Sequence, residues 1–445
     1  MRHGDPSGAD EYVPGHGDAR FDVIDYDLEL TYKVSGNHLT GVAALRLVAL
    51  EDLEDLHLDL HGLRVSKLTV DGGSARYRHR RDRLVVQPGG RVRRGRELTI
   101  VVHYSGNPSP VSDRHLGTAG WEELSDGVIV ASQPHGAPSW FPCNDRPSNK
   151  ARYRITVTAP SEYHVVANGT LESRRRGASA TTWSYDQPEP MATYLATVQI
   201  GGYEVRSFRA PVPLSAAVPA RLLGGYPDAF GAQPKMLEAF IRRFGPYPFA
   251  GYSVVVTDDD LEIPLESQGL STFGANFLRR DWDAVRLVAH EMAHQWFGNS
   301  LTLGSWRDIW LHEGFACYAE WIWSEESGGR SAHEQAVGHW QRLSQLDQDL
   351  ELGDPGPDLL FDDRVYKRGA LLLHALRLTV GDDVFFGLLQ DWTSTYAQAT
   401  VSTELFIALA EQHAGRPLDD LFRRWLKERS LPALPGAPRA GEVLR

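Results

Sequence analysis

Residues 285–299 read VRLVAHEMAHQWFGN and contain the pattern His290-Glu291-Met292-Ala293-His294. The apolar residues on both sides of this pattern predict a buried helix. Positions i and i+4 of a helix lie on one face, so the two imidazoles can reach a single ion. Glu291 stands next to the first histidine, where a general base can act on a ligand at the open metal position. The stretch therefore predicts a catalytic metal site on a buried helix.

A third metal ligand follows after 18 intervening residues, at Glu313 in a second apolar segment that reads WLHEGFA from residue 310. Two neutral imidazoles and one carboxylate leave the fourth tetrahedral position to water, which is the catalytic arrangement of zinc. We therefore predict one Zn²⁺ per chain, held by His290, His294 and Glu313, with Glu291 as the general base. Glu320 lies two helical turns beyond Glu313, and two interpretations stay open: it accepts a hydrogen bond from a ligand imidazole, or it is a solvated charge.

The first half of the chain has the pattern of β-structure. In residues 26–32 apolar or aromatic residues alternate with polar ones, which is typical of a half-buried strand. Turn-forming glycines separate further runs of this kind. These predicted strands cover residues 42–50, 56–60, 84–86, 98–104, 153–158, 163–166 and 194–200. We predict a flexible N-terminus over residues 1–11 and an all-β domain over residues 12–205.

The second half has a helical pattern. Met236, Phe240 and Phe244 recur at four-residue spacing, and a short strand is predicted over residues 252–257. Further helical patterns cover residues 283–298, 306–325, 331–349, 365–380 and 417–428. The sequence thus predicts a mainly α-helical domain with a small sheet over residues 206–432, followed by a Pro- and Gly-rich tail over residues 433–445.

Composition excludes several classes of function. The 445 residues carry 46 basic and 58 acidic side chains, a net charge of −12, which argues against nucleic-acid binding. No run of 18 apolar residues is present to cross a membrane, and the N-terminus lacks the apolar core of a signal peptide. Cys143 and Cys317 are far apart, so neither a disulfide framework nor a cysteine zinc site is indicated. We expect a cytoplasmic protein, monomeric and without nucleic-acid or membrane partners.

Residues 290–299 together with residues 310–316 closely resemble peptidase family M1, which is typified by aminopeptidase N. The resemblance implies a saddle-like β domain plus a thermolysin-like catalytic domain. It covers about residues 12–432 and does not include the large C-terminal helical domain of many relatives. The family usually has asparagine where His312 stands, next to the third ligand.

Three further segments match the family and suggest roles for their residues. Residues 263–267 (IPLES) align with the Gly-x-Met-Glu-Asn loop, so Glu266 would bind the free amine of the substrate, although the residues around it are replaced. Residues 365–370 (VYKRGA) are similar to the Tyr-x-Lys-Gly segment, which makes Tyr366 a transition-state donor and puts Arg368 in the place of the lysine. Residues 133–137 (QPHGA) and 140–145 (WFPCND) resemble the edge that the family's N-terminal domain lends to the active site, which makes Gln133 a candidate substrate contact.

The resemblance implies a zinc-dependent aminopeptidase that removes single N-terminal residues from peptides with a free N-terminus. Three alternatives stay open. A zinc endopeptidase would need no amine-binding carboxylate, so Glu266 argues against it. An epoxide hydrolase shares the fold and the motifs. A non-enzymatic interaction scaffold is expected to have lost ligands, whereas all three ligands and the base are present in this sequence.

Overall fold

The chain forms two compact units in a computed structural model, which describes residues 10–435. The β unit comprises the described residues up to Tyr226 together with Phe249–Leu278, and the helical unit comprises Pro227–Pro248 and the described residues from Arg279 onwards. The predicted flexible start and the predicted tail lie largely outside the described residues. The predicted domain boundary after residue 205 stays a prediction, because a division into compact units does not show where an independently folding domain ends.

The β unit begins with sixteen strands, most of them antiparallel. Their bounds are β1 Phe21–Lys33, β2 His38–Ala49, β3 Leu56–Asp59, β4 Arg64–Val70, β5 Gly73–Ser74, β6 Arg76–Arg80, β7 Arg83–Gln87, β8 Glu97–Gly106, β9 Val111–Asp113, β10 Gly117–Leu124, β11 Gly127–Ala131, β12 Lys150–Pro160, β13 His164–Ala167, β14 Thr170–Arg176, β15 Ala180–Ala192 and β16 Val198–Gly201. They form an eight-stranded sheet in the order β14-β15-β12-β1-β2-β8-β4-β5, a five-stranded sheet β13-β16-β11-β10-β9 and a three-stranded sheet β3-β7-β6.

Alternation along β1 explains the core of the large sheet. Tyr26, Leu28, Leu30 and Tyr32 are each at most 2% exposed, as the pattern of residues 26–32 predicts. The rings of Tyr26 and Tyr153 stack at 4.8 Å on adjacent parallel strands, β1 and β12. Burial of such aromatic side chains removes a large apolar area from water and stabilises the sheet.

A mixed five-stranded sheet completes the β unit and carries Glu266. Its strands are β17 Tyr203–Phe208, β18 Leu214–Pro219, β19 Tyr252–Val256, β20 Leu265–Ser267 and β21 Leu270–Phe273. Their order is β17-β18-β19-β21-β20, with β18, β19 and β21 parallel to one another. Glu266 lies in the edge strand β20, opposite Ser271 of β21.

Nine α-helices are present among the described residues. The first two are α1 Tyr226–Phe230, which begins at the last residue of the β unit's first segment, and α2 Gln233–Phe244. The others are α3 Trp282–Ala293, α4 Trp310–Glu326, α5 Ala332–Leu343, α6 Asp363–Val380, α7 Asp382–Thr395, α8 Thr403–Ala414 and α9 Asp419–Leu426, and a two-stranded parallel sheet pairs β22 Thr302–Leu303 with β23 Thr400–Val401. Among the described residues, no helix is long and apolar enough to cross a membrane.

Helix α3 carries the metal-binding motif, and local contacts set its ends. The Asp281 carboxylate caps the first turn by accepting a hydrogen bond from the Ala284 N–H at 3.1 Å. Such caps satisfy a backbone donor that the helix leaves open. The chain turns away at Gly298, whose φ of +131° lies in the region that favours glycine.

Helices α4 and α6 approach each other closely at two glycines. A Cβ atom on Gly314 would lie 2.8 Å from the Cα of Gly369, and one on Gly369 would lie 2.7 Å from the Cα of Gly314. Only glycine leaves room for this contact, because a normal Cβ contact is about 3.5–4.0 Å. The contact fixes the relative position of the helices that carry Glu313 and Tyr366.

The β-rich N-terminal part and the helical part confirm the predicted fold class. One prediction about a strand is corrected, and two helices were missed. Residues 194–200 do not form one strand, because Thr193–Leu195 is a 3₁₀ turn and β16 begins only at Val198. The helices α7 and α8 were not predicted, although their apolar residues follow a helical period.

Candidate metal centre

The three predicted ligands converge in the helical unit. The His290 Nε2 lies 3.3 Å from the Glu313 Oε2, and the His294 Nε2 lies 3.5 Å from the same oxygen. All three residues are buried, with exposures of 6%, 1% and 2%. The helices α3 and α4 therefore bring together the residues that the sequence spacing selected.

The outer ring nitrogens fix which nitrogen of each imidazole faces the site. The His290 Nδ1 lies 2.8 Å from the Glu320 Oε1, and the His294 Nδ1 lies 3.0 Å from the Phe297 carbonyl oxygen. An ionised carboxylate and a carbonyl only accept hydrogen bonds, so each Nδ1 must be the N–H donor. In neutral imidazoles this leaves both Nε2 atoms as lone-pair donors that face the Glu313 carboxylate.

This donor set fits a zinc ion. In their neutral forms the two imidazoles direct lone pairs toward the same carboxylate oxygen, and this is a set of donors that zinc takes. Zinc–ligand distances of about 2.0–2.1 Å in a tetrahedron place donor atoms about 3.3 Å apart. The 3.3 Å and 3.5 Å separations match that spacing, and the three donor atoms lie within 4.8 Å of one another.

Glu320 accepts a hydrogen bond from a ligand, which decides between the two interpretations of its spacing. It is 2% exposed, and its second oxygen lies 3.2 Å from the Arg286 Nη1. Burial favours the neutral acid, but the charge of Lys367, the hydrogen bond from His290 and the charge of Arg286 together lower the pKa of Glu320 to about 2. An ionised Glu320 holds His290 in the tautomer that presents Nε2 to the metal.

The departure from the family pattern at His312 has a structural role. The His312 Nε2 accepts a hydrogen bond from the Leu303 N–H at 2.9 Å, which ties β22 to the start of α4. An asparagine side-chain oxygen offers the same kind of acceptor. The His312 side chain therefore helps to hold the helix that carries Glu313.

Arg368, at the position of the family's lysine, acts as a structural clamp. Its guanidinium donates to the carbonyls of Leu350 and Arg429 at 3.0 and 2.8 Å, and to that of Trp425 at 3.1 Å. These bonds hold the end of α9 and the residues just after it against α6. The positive charge of Arg368 therefore has a structural role.

The predicted base and the predicted donor lie on the elements that hold the metal ligands. Glu291 is 3% exposed and neighbours His290 on α3. The Tyr366 ring is half-buried on α6 and faces the His290 ring, with centroids 5.9 Å apart and planes inclined by 22°. The helical unit therefore places both residues at the metal centre.

The two predicted substrate-binding residues meet in the β unit. The Gln133 Nε2 donates a hydrogen bond to the Glu266 Oε1 at 2.8 Å, although 133 positions separate them in the sequence. Glu266 is 7% exposed. A primary amide that donates to a carboxylate restricts its rotation, so the pair presents an oriented, buried acceptor.

Sequence reasoning missed parts of the surrounding network. The carbonyl of Phe297 has no side-chain signal, because any residue supplies that oxygen. Arg286, by contrast, stands four residues before His290, so it occupies the same helix face and its contact with Glu320 has a recognisable spacing.

Two family models match the chain. The Peptidase M1 N-terminal domain matches residues 23–195, and the Peptidase family M1 domain matches residues 229–425. Aminopeptidase M1 of Arabidopsis thaliana is 25% identical over 72% of this chain and 39% of its own length. Leucyl aminopeptidase of Saccharolobus solfataricus is 23% identical over 92% of this chain and 53% of its own length. The chain thus spans about half or less of these curated relatives.

Solved structures match over nearly the whole chain. An M1 zinc metallopeptidase from Deinococcus radiodurans has a TM-score of 0.88 at 32% identity, over 96% of this chain and 99% of that one. A mutant M1 zinc metallopeptidase from the same organism, bound to the substrate Tyr-Ser-Ala, has a TM-score of 0.89 at 33% identity, over 96% and 98%.

Proposed function

Because the chain belongs to peptidase family M1, we propose that it is a zinc aminopeptidase that removes single N-terminal residues from peptides by attack of an activated water. The chain is a hydrolase of the M1 type, and its cofactor is one catalytic zinc ion. The convergence of His290, His294 and Glu313 around one point carries the proposal.

The residues divide the chemistry among them. Bound zinc supplies Lewis acidity, which acidifies water and polarises a carbonyl group. Glu291 takes the proton of the attacking water and delivers it to the leaving amine. The Tyr366 hydroxyl donates a hydrogen bond to the oxyanion that develops in the transition state. The position of its ring beside His290 supports this role.

Glu266 and Gln133 select the substrate. A buried carboxylate is a partner for the α-ammonium of a free N-terminus, and the hydrogen bond from Gln133 orients it. A charge-assisted hydrogen bond of this kind contributes about 1.5–3 kcal/mol. That amount corresponds to about 10- to 100-fold in an equilibrium constant. Peptides that lack the positive charge leave Glu266 without this partner, so they are poor substrates.

The test compares one peptide in its free and N-acetylated forms. We expect kcat/KM to be at least about tenfold higher for the free form. Glu266→Ala lowers kcat/KM for the free peptide and narrows the gap to the acetylated one. Glu262→Ala, which removes an exposed carboxylate from the same segment, leaves both values unchanged. Equal kcat/KM for the two peptides in the unmodified enzyme would show that the protein is an endopeptidase instead.

A further inference from the structure

The helical unit contains a cavity of about 820 Å³ whose walls come from α3, α4, α5, α6 and the segment between α4 and α5. This α3–α6 cavity has the size of a small-molecule site, for which about 300–1,000 Å³ is typical. Its lining, within the described part of the chain, includes neither Glu291 nor Tyr366. The predicted catalytic groups Glu291 and Tyr366 therefore do not account for this cavity.

The charges that line the cavity leave a cationic surplus. Asp283 and Asp363 have side-chain exposures of 81% and 77%, so water screens them strongly. Glu320 is already engaged with His290 and with an arginine. The four cations are Arg286, Arg330, Arg342 and Lys367. Such a cluster is unexpected in a chain with a net charge of −12.

Two of these cations have no carboxylate partner. Arg330 and Arg342 are both exposed, and neither forms an ion pair with a carboxylate within residues 10–435. The Arg342 Nη2 instead lies 2.9 Å from the His339 Nδ1. A planar guanidinium offers paired N–H donors that match the oxygens of a phosphate or carboxylate.

The neighbouring imidazole adds no charge of either sign. Burial and the nearby positive charges of Lys367 and Arg342 together lower the pKa of His339 to about 3. The neutral ring stacks on Trp321, with centroids 5.1 Å apart and planes inclined by 16°. One wall of the cavity is therefore aromatic and uncharged, and Lys367, which is 9% exposed, lies deeper among the lining residues.

The cavity wall connects to a metal ligand through a single carboxylate. Arg286 contacts one oxygen of Glu320 at 3.2 Å, and the other oxygen of Glu320 lies 2.8 Å from the His290 Nδ1. An arginine that lines the cavity therefore also helps to hold Glu320, the acceptor for a ligand imidazole.

We propose that the α3–α6 cavity binds a small oxyanion, a phosphate or carboxylate group, through the guanidinium groups of Arg330 and Arg342 and the ammonium of Lys367. Two sources can supply this group: a free anion such as inorganic phosphate, or the C-terminal carboxylate of a short peptide. This site goes beyond the proposed peptidase function, because an anion can bind in the cavity without any turnover of substrate.

The binding arm of the test titrates the zinc-loaded full chain with inorganic phosphate by calorimetry at low salt. We expect the R330Q/R342Q variant to bind phosphate at least about tenfold more weakly than the unmodified protein. The reason is that each lost charge-assisted hydrogen bond raises the dissociation constant by about that factor. R93Q/R94Q removes the same charge from an exposed turn of the β unit and is expected to bind phosphate normally. Thermal unfolding without phosphate checks that both variants are folded.

The source arm compares kcat/KM for one peptide as the free acid and as the C-terminal amide. If the peptide supplies the carboxylate, the unmodified enzyme prefers the free acid, and R330Q/R342Q loses that preference. If R330Q/R342Q binds phosphate more weakly but keeps the kcat/KM ratio of free acid to amide, the ligand is a free anion. The proposal is overturned if R330Q/R342Q matches the unmodified protein within about twofold in phosphate affinity and also keeps its ratio of acid to amide. Because phosphate binding is measured without turnover, that result would leave the proposed peptidase activity untouched.

Discussion

The orientation of each ligand imidazole at the metal centre is set by the acceptor that its Nδ1 contacts. Glu320 accepts from His290, and the Phe297 carbonyl accepts from His294, so both rings present Nε2 to Glu313. The sequence predicted the three ligands because their spacing on two helices is regular. It left the role of Glu320 open, since a spacing of seven residues gives the helix face but not the partner. It could not predict the carbonyl of Phe297, because backbone contacts leave no signal in side-chain type.

The role of Glu291 is testable with a single change. Glu291→Gln keeps the size of the side chain but cannot accept the proton, so we expect kcat to fall by about 10²- to 10⁴-fold. Zinc content should remain at one ion per chain, because the ligands are unchanged. Steady-state kinetics and metal analysis on the same preparation check both expectations.

The matched control for this change is Glu238→Gln, which alters an exposed carboxylate on α2 in the same unit. This control variant should keep full activity. Near-normal kcat in Glu291→Gln would show that another group acts as the base.

Among the elements, the pattern of apolar residues predicted the helices that carry the candidate site but missed α7, α8 and some hairpins. The helical patterns over residues 283–298 and 365–380 correspond to α3 and α6. The hairpin of β10 and β11 was not predicted, although Asp126-Gly127 is a turn signal and the run of valine and isoleucine in β11 favours a strand. The contact between Gly314 and Gly369 could not be predicted either, since sequence alone does not pair two helices.

That helix contact gives a prediction about stability. In Gly314→Ala the new Cβ would lie 2.8 Å from the Gly369 Cα, so the two helices must move apart. We expect a loss of about 1–3 kcal/mol in the free energy of unfolding, as for other overpacked cores. Because Glu313 is the adjacent residue, zinc affinity should fall as well. Urea unfolding and a competition assay for zinc measure the two effects.

Gly387→Ala on α7 is the control for this variant, because a Cβ at that position meets no atom within 4 Å. Alanine has a higher helix propensity than glycine, so this control should be neutral or stabilising by up to about 1 kcal/mol. Unchanged stability and zinc affinity in Gly314→Ala would mean that the close approach of α4 and α6 does not position Glu313.

At the scale of the whole molecule, metal binding and folding are linked. His290, His294 and Glu313 come together only in the folded helical unit, so zinc binds the folded chain in preference to the unfolded one. A ligand that binds only the folded state stabilises it by about 2.7 kcal/mol at a hundred times its Kd. Removal of zinc with a chelator should therefore lower Tm by about 5–10 °C.

This linkage has an internal control. His294→Gln removes one ligand, so its Tm should respond little to the chelator. An identical Tm for the zinc-loaded and chelated forms of the unmodified protein would contradict the assignment of the three ligands.

The most direct test of the central claim is the identity of the products that form from one unblocked peptide. The zinc-loaded enzyme is incubated with a peptide of ten or more residues, and the products are followed over time by mass spectrometry. We expect a ladder in which each product is one N-terminal residue shorter than the previous one, together with free amino acids. A chelator is expected to stop the ladder. Fragments that keep the original N-terminus but have lost several C-terminal residues, formed before any single-residue loss, would contradict the proposal that this chain is an aminopeptidase.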